Sequence, residues 1–293
     1  MDRVMHRIGL HGKSFIPLVM GFGCNVPAIM ATRTIESRSS RLITVLITPF
    51  MSCSARLPIY ILFVGTFFPD HGGLVLFGLY LLGIALAVVT ARLMRRFLFP
   101  VDETPFVMEL PPYHKPKWRH ILRSSLMKAW DIFWRAFTVI YAVSIVFYLL
   151  SYPWGGGDSL LTQIGAVISP VTEFFGMTWQ MFMAYLSSML TKESLLGVIN
   201  ALYSNSDVAA AAFNAKSVGV SESLAVLLPQ VISKAQALGF IMAIVFNVPC
   251  TMTVVATYRE NHSARWIVLS IGYYVAFSLA ISCVFYHIGL LIW

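Results

Sequence analysis

Long apolar runs alternate with short polar joints along this chain, and several runs are interrupted by residues that an undisturbed helix does not tolerate. Residues 15–31 form the first run, broken inside by Gly21-Phe-Gly-Cys-Asn-Val-Pro-Ala28. Proline removes a donor and clashes with the preceding turn, and Gly21 and Gly23 add backbone freedom. The stretches 42–53 and 57–68 follow, either one span broken at Pro49 and Pro58 or a half-span and a full one. Residues 74–89 and 132–150 read as uninterrupted spans, 178–202 as a span interrupted by Lys192-Glu193, and 266–293 as the last span. Residues 224–258 are too long for one straight span and contain a second break, Phe246-Asn-Val-Pro-Cys250. Between the runs lie an extended Pro-rich, basic linker over 100–123, a loop over 151–176 and a polar surface segment over 203–223.

The fold class that follows is an all-α integral membrane protein: a polytopic helical bundle with two gate-type repeats containing broken helices. Of 293 residues, 58% are hydrophobic and 12% charged, against about 25% charged in a soluble domain. The length allows roughly seven or eight spans of about 20 residues. The net charge of +8 sits in short loops between apolar runs, so it points to membrane orientation and not to nucleic acid. Arg92, Arg95, Arg96 and the basic linker place 92–123 in the cytoplasm, and the absence of Lys or Arg over 136–191 places 153–176 outside. The four cysteines lie in or beside apolar segments and are expected to be free thiols. The chain starts almost directly at a membrane element and is expected to be part of a longer protein.

Asn25-Val-Pro27 recurs as Asn247-Val-Pro249, with Met30 and Met252 at the same offset. Each copy precedes a basic turn and a new span. Paired interruptions in two halves are the best sequence pointer to a transporter's binding site; parallel and inverted repeats both remain open. The breaks carry candidate chemistry. Cys24 precedes one Asn-Val-Pro and Cys250 follows the other, so two thiolates, the carbonyls of Asn25 and Asn247 and main-chain oxygens could serve a softer transition metal such as Fe(II). Gly21, Gly23, Pro27 and Pro249 would act as gate or hinge residues. Cys53, near another disturbed region, and Glu193 are lesser metal candidates, and Lys192 and Glu193 a coupling or structural ion pair. Cys283 and the methionines Met177, Met181, Met183 and Met189 read as packing, and His71, His114, His120 and His262 as solvated. Gly12-Lys13-Ser14 is not a P-loop, because position 7 is arginine where that motif needs glycine, so no enzyme activity is expected.

Gly21-Phe-Gly-Cys-Asn-Val-Pro-Ala28 with Ala31-Thr-Arg33 resembles the first gate motif of the bacterial ferrous-iron transport protein B family. Pro49-Phe-Met-Ser-Cys-Ser-Ala-Arg-Leu-Pro58, Glu109-Leu-Pro-Pro-Tyr113 and Lys192-Glu193 resemble further signatures, and Phe246-Asn-Val-Pro-Cys250 the second gate motif. One departure is Phe137, where the family commonly has glycine. The resemblance covers the whole chain and implies a multi-pass Fe(II) uptake permease of the bacterial inner membrane, with Fe(II) as transported substrate and no permanently bound cofactor. Cys24 and Cys250 match the family's proposed iron ligands. The resemblance also implies an N-terminal G-protein domain, absent here, through which alone GTP would act, and small cytoplasmic accessory partners; membrane lipid and a homo-oligomer are further possible contacts. On this reading residues 1–51 hold the first gate motif, truncated at its N-terminus, 52–110 a central membrane region with the start of the linker, and 111–293 the linker end and second gate domain. A nucleoside-type permease with the same gate architecture is the alternative; it would want aromatic and amide groups where these breaks carry cysteines. A nucleophilic-cysteine enzyme lacks a histidine within a span near Cys24 or Cys250.

Overall fold

The computed structural model describes residues 5, 8–97, 117–151, 169, 172, 174–204 and 228–292. Every regular element among them is helical. Most of the linker with Glu109-Leu-Pro-Pro-Tyr113 and His114, most of the expected outer loop and most of the polar segment over 203–223 lie outside the described residues.

The first broken run is a hairpin, not a span. Helices α1 (Phe15–Gly21) and α2 (Asn25–Ala31) pack along each other. Lys13, before α1, is ion-paired at 2.8 Å with Glu36, after α2, so both ends of the run sit on one side. Pro27 falls in the first turn of α2, where its missing N–H has no intrahelical role. The next run is a single interrupted span. Helix α3 (Arg38–Ile47), started by the Ser37 cap, gives way to 3-10 turns at Thr48–Phe50 and Ser54–Arg56 before α4 (Leu57–Phe67). Arg38–Phe67 is long and apolar enough to cross a membrane. Helix α5 (Gly72–Phe97) returns beside it. A Cβ at Gly83 would lie 2.8 Å from the Phe50 carbonyl oxygen, so only glycine lets α5 approach the interruption this closely.

Helix α6 (Trp118–Ser151) begins fourteen residues before the expected span. Residues 118–123 are therefore helical and not extended linker, because the last proline of that stretch is Pro116 and nothing beyond it blocks helix formation.

A second unit repeats the plan. Helices α7 (Trp179–Leu190) and α8 (Ser194–Ser204) are joined by Thr191–Glu193. Ser194 Oγ donates to the Ser187 carbonyl at 3.1 Å. Seven residues along a continuous helix span about 10 Å, so α8 folds back on α7. The run over 178–202 is thus a hairpin and not the span its hydropathy predicts. Helix α9 (Lys234–Phe246), opened by a Ser233/Gln236 capping box, and α10 (Thr251–Asn261) form an interrupted span, and α11 (Ala264–Ile292) packs antiparallel to α9, with Gly289 at Ala235. His262, at φ 49°, closes α10 in the left-handed conformation.

Each unit is therefore a hairpin, an interrupted helix and a long straight helix, and the two run in opposite senses. The first hairpin opens at the end carrying Arg33, Arg38, Arg95, Arg96, Arg259 and Arg265. The second opens beside the far part of α11, where Ser282 Oγ reaches the Phe175 carbonyl and Gly176 lies against Tyr286. The units are inverted. The Asn-Val-Pro identity joins a hairpin tip to an interrupted helix, so it does not mark the repeat of the fold. Four helical segments among the described residues are long and apolar enough to cross a membrane, and two of the apolar runs expected to be spans are hairpins instead.

The units share one core. Phe50, at the first interruption, packs its ring 5.8 Å from Phe246, 5.8 Å from Tyr274 and 5.7 Å from Phe277. In lipid such helix contacts rest on close packing and interhelical hydrogen bonds, and both interrupted helices meet here.

Candidate ion path at the helix breaks

Two hairpin tips and two interruptions converge, stitched by polar contacts in sequence. At the first tip, Ser54 N and Oγ both donate to the Gly23 carbonyl, at 3.3 and 2.9 Å. Gly21 is buried, and a Cβ there would stand 3.2 Å from that of Met51. Neither Gly21 nor Gly23 has a positive φ, so Gly21 serves close approach and not the backbone freedom its sequence context implies. Two residues beyond Ser54, the fully buried Arg56 donates from Nη1 to the carbonyls of Pro49 (3.0 Å) and Val245 (2.9 Å) and from Nη2 to that of Asn247 (3.3 Å). One guanidinium thus serves both interrupted helices. It answers carbonyls that an opened helix leaves without intrahelical partners, and in lipid such groups must be answered by protein, water or an ion.

The second interruption is stitched to the second hairpin. Lys192, at the tip, is buried and donates from Nζ to the Val248 carbonyl at 2.8 Å. Thr251 Oγ1 donates to the Leu190 carbonyl at 3.1 Å. Asn247 Nδ2 donates to Ser188 Oγ and to the Tyr185 carbonyl. A carbonyl accepts only, which fixes the amide orientation and leaves Asn247 Oδ1 facing away. That oxygen is buried without a hydrogen-bond partner, and so is Oδ1 of Asn25. Orphaned buried acceptors cost free energy and call for an explanation at the site.

Cys24, Cys53 and Cys250 occupy equivalent local positions. Each is the N-cap of the helical element that follows a break, and none makes a side-chain capping bond. Cys24 is exposed, Cys250 half-buried and Cys53 buried. Charge on Cys250 or Cys53 is felt at Cys24, and Lys192 feels Arg56, Cys250 and Cys53, so the three thiols and the two basic side chains share one neighbourhood. Among the described residues no three His, Cys, Asp or Glu side chains gather closely enough to enclose a metal ion. Cys250 Sγ instead lies 3.1 Å from Thr253 Oγ1.

Other sequence candidates fall elsewhere. The expected ion pair between Lys192 and Glu193 is not formed: adjacent in a tight turn, the lysine is buried on Val248 while Glu193 is exposed. Met177, Met181 and Met183 are buried core, and Met189 packs against that core. His71, His120 and His262 are exposed. Cys283 lies on α11 with Sγ 3.7 Å from His287 Nδ1. Sequence reasoning passed over Arg56, although it is the only Lys or Arg between Arg41 and Arg92, a signal that an intramembrane charge always deserves. Arg33, which the sequence marks only as part of the first gate motif, has a buried partner. Arg33 Nε donates to both carboxylate oxygens of Glu260 at 2.7 Å, and Glu260 is buried. The carboxylate raises the guanidinium's proton affinity still further. Between this pair and the cysteines, Val26, Ile29, Val45 and Ala256 cluster with Met30 and Met252, so α2 and α10 run side by side from break to basic end.

Comparison with known proteins places this arrangement. Residues 1–67 and 133–263 match the Gate family, described as nucleoside recognition, and residues 76–128 match the ferrous iron transport protein B C terminus. An Fe(2+) transport protein A/Fe(2+) transporter FeoB fusion protein of Porphyromonas gingivalis is 40% identical over 99% of this chain and 39% of its own length. Fe(2+) transporter FeoB of Staphylococcus aureus is 36% identical over 99% of this chain and 42% of its own length, and that of Legionella pneumophila 35% over 98% and 44%. This chain spans about two fifths of these relatives. No solved structure matches it. With a Gate match over most of its length, a matching C-terminal segment and relatives aligned almost end to end, the chain belongs to the membrane region of the ferrous iron transport protein B family.

Proposed function

We propose that this chain is a permease region for ferrous iron uptake across the bacterial cytoplasmic membrane, with iron passing between the cysteine-bearing breaks. Cys24 and Cys250 are the principal donors, Asn25 and Asn247 supply amide oxygens, and Cys53 stands in reserve. The observation that carries the reading is the pair of orphaned, buried Oδ1 atoms of Asn25 and Asn247 beside N-cap thiols. Mixed sulfur and oxygen donors suit Fe(II) better than Mg(II) or Ca(II). Two thiols and two amides do not enclose an ion, so water completes its shell, which suits cargo that must leave again.

Pro27 and Pro249 keep the breaks open, Gly21 lets the first tip approach Met51, and Gly23 presents its carbonyl to Ser54. The Arg33–Glu260 pair and the apolar cluster above it close the path toward the basic end. GTP acts only through a G-protein domain joined to this region, and small cytoplasmic accessory proteins work with that domain. A nucleoside substrate is less well served: the apolar groove lined by Val45, Pro49, Pro249, Val254 and Tyr274 offers it no free amide or charge.

X-ray absorption at the iron edge tests the reading on the full chain, held anaerobically in nanodiscs with Fe(II). Sulfur scattering is expected in the wild type and reduced in Cys24→Ser and in Cys250→Ser. An iron shell of only oxygen and nitrogen in the wild type would refute the cysteine path.

A further inference from the structure

The opened end of α9 is a place where a cation binds readily. A helix C-terminus carries partial negative charge and unpaired carbonyls, and in transporters with broken helices such carbonyls hold coupling ions. Here the carbonyls of Val245 and Asn247 are taken by Arg56, and that of Val248 by Lys192. Arg56 takes the Pro49 carbonyl of the other interruption as well. Both side chains are buried and Glu193 is exposed, so the Lys192 amine is held by backbone oxygen and not by a carboxylate.

Resting on the proposed iron path, we infer that Arg56 and Lys192 determine its ion selectivity by withholding the backbone carbonyls of the second break. The passing ion then finds thiol sulfur and side-chain amide oxygen as its protein donors, with water for the rest. Hard cations such as Ca(II) take about six to eight oxygens and gain little from a protein set that offers two amide oxygens beside sulfur, whereas Fe(II) accepts the sulfur-bearing set. Lys192 is a positioning residue in this scheme: it touches the carbonyl that the ion is denied, not the ion.

Competition binding on the full chain in anaerobic nanodiscs tests this, with Fe(II) bound and Ca(II) as competitor. Lys192→Met cannot donate and frees the Val248 carbonyl, so the preference for Fe(II) over Ca(II) should fall by about tenfold or more. Lys192→Arg keeps a donor for the Val248 carbonyl and should retain the wild-type preference. Using the ratio of affinities removes any loss of folded protein from the comparison. An unchanged ratio in Lys192→Met overturns the inference. A second measurement needs no variant: Lys192 should stay protected from an amine-reactive probe when wild-type protein is saturated with Fe(II), and labelling on Fe(II) addition means that the ion has taken the carbonyl, which also overturns it. The two ideas fail separately. Lost Fe(II) affinity in a Cys24→Ser/Cys250→Ser double variant with an unchanged ratio in Lys192→Met keeps the cysteine path and overturns the selectivity role. Intact affinity in the double variant with a fallen ratio in Lys192→Met does the reverse.

Discussion

The two Asn-Val-Pro segments share three residues and little else in their surroundings. In the first, the proline lies inside the first turn of a helix, the adjoining Cys24 is exposed, and the Gly23 carbonyl at the tip is held by a neutral serine. In the second, the proline lies in an extended stretch, Asn247 is almost wholly buried, and three backbone carbonyls are held by the buried side chains of Arg56 and Lys192. The same tripeptide forms a hairpin tip in one place and opens a spanning helix in the other. What decides is the partner supplied to the freed backbone. A tip at the end of a hairpin frees few groups, so a hydroxyl suffices. An opening in the middle of a span frees a whole turn of carbonyls in low dielectric, where buried donors from other elements must answer them.

This contrast makes the second break more sensitive to mutation. Arg56→Met should have the largest effect, because it strands the carbonyls of Pro49, Val245 and Asn247 together. At about 1–3 kcal/mol for each buried unsatisfied group, the loss of stability should show as a large fall in melting temperature. Ser54→Ala, which removes one of two donors to Gly23, should lower it only slightly. Comparable falls for both would erase the distinction between the breaks. At the small end is Glu193→Gln. Glu193 is exposed and does not pair with Lys192, so this change should leave stability within about 0.5 kcal/mol. A drop as large as that of Lys192→Met would restore the ion pair that the geometry denies.

How much of this was legible in the chain depends on whether the signal was local. The interruptions, the helical class and the packing role of the methionines follow from proline placement, hydropathy and spacing. The hairpins do not, because an apolar run of seventeen or twenty-five residues looks alike whether it crosses the membrane or turns back. What distinguishes them is non-local: Lys13 meeting Glu36, and Ser194 meeting Ser187. The inverted relation was hidden for the same reason, and the Asn-Val-Pro identity pointed to the wrong equivalence. At the site, sequence reasoning chose Cys24, Cys250, Asn25 and Asn247, and the two amide oxygens are found buried and unanswered. It missed Arg56, whose three acceptors come from segments up to 191 residues away.

The central claim is that the two breaks act on one ion. Ligands of a shared ion are coupled, so their removals do not add. Anaerobic Fe(II) titration of the full chain in nanodiscs measures this directly in the wild type, Cys24→Ser, Cys250→Ser and the double variant. Each single change should weaken binding about tenfold or more, and the double little further than the worse single. Double-variant binding at the wild-type level, or a loss equal to the product of the two single losses, would contradict one shared site.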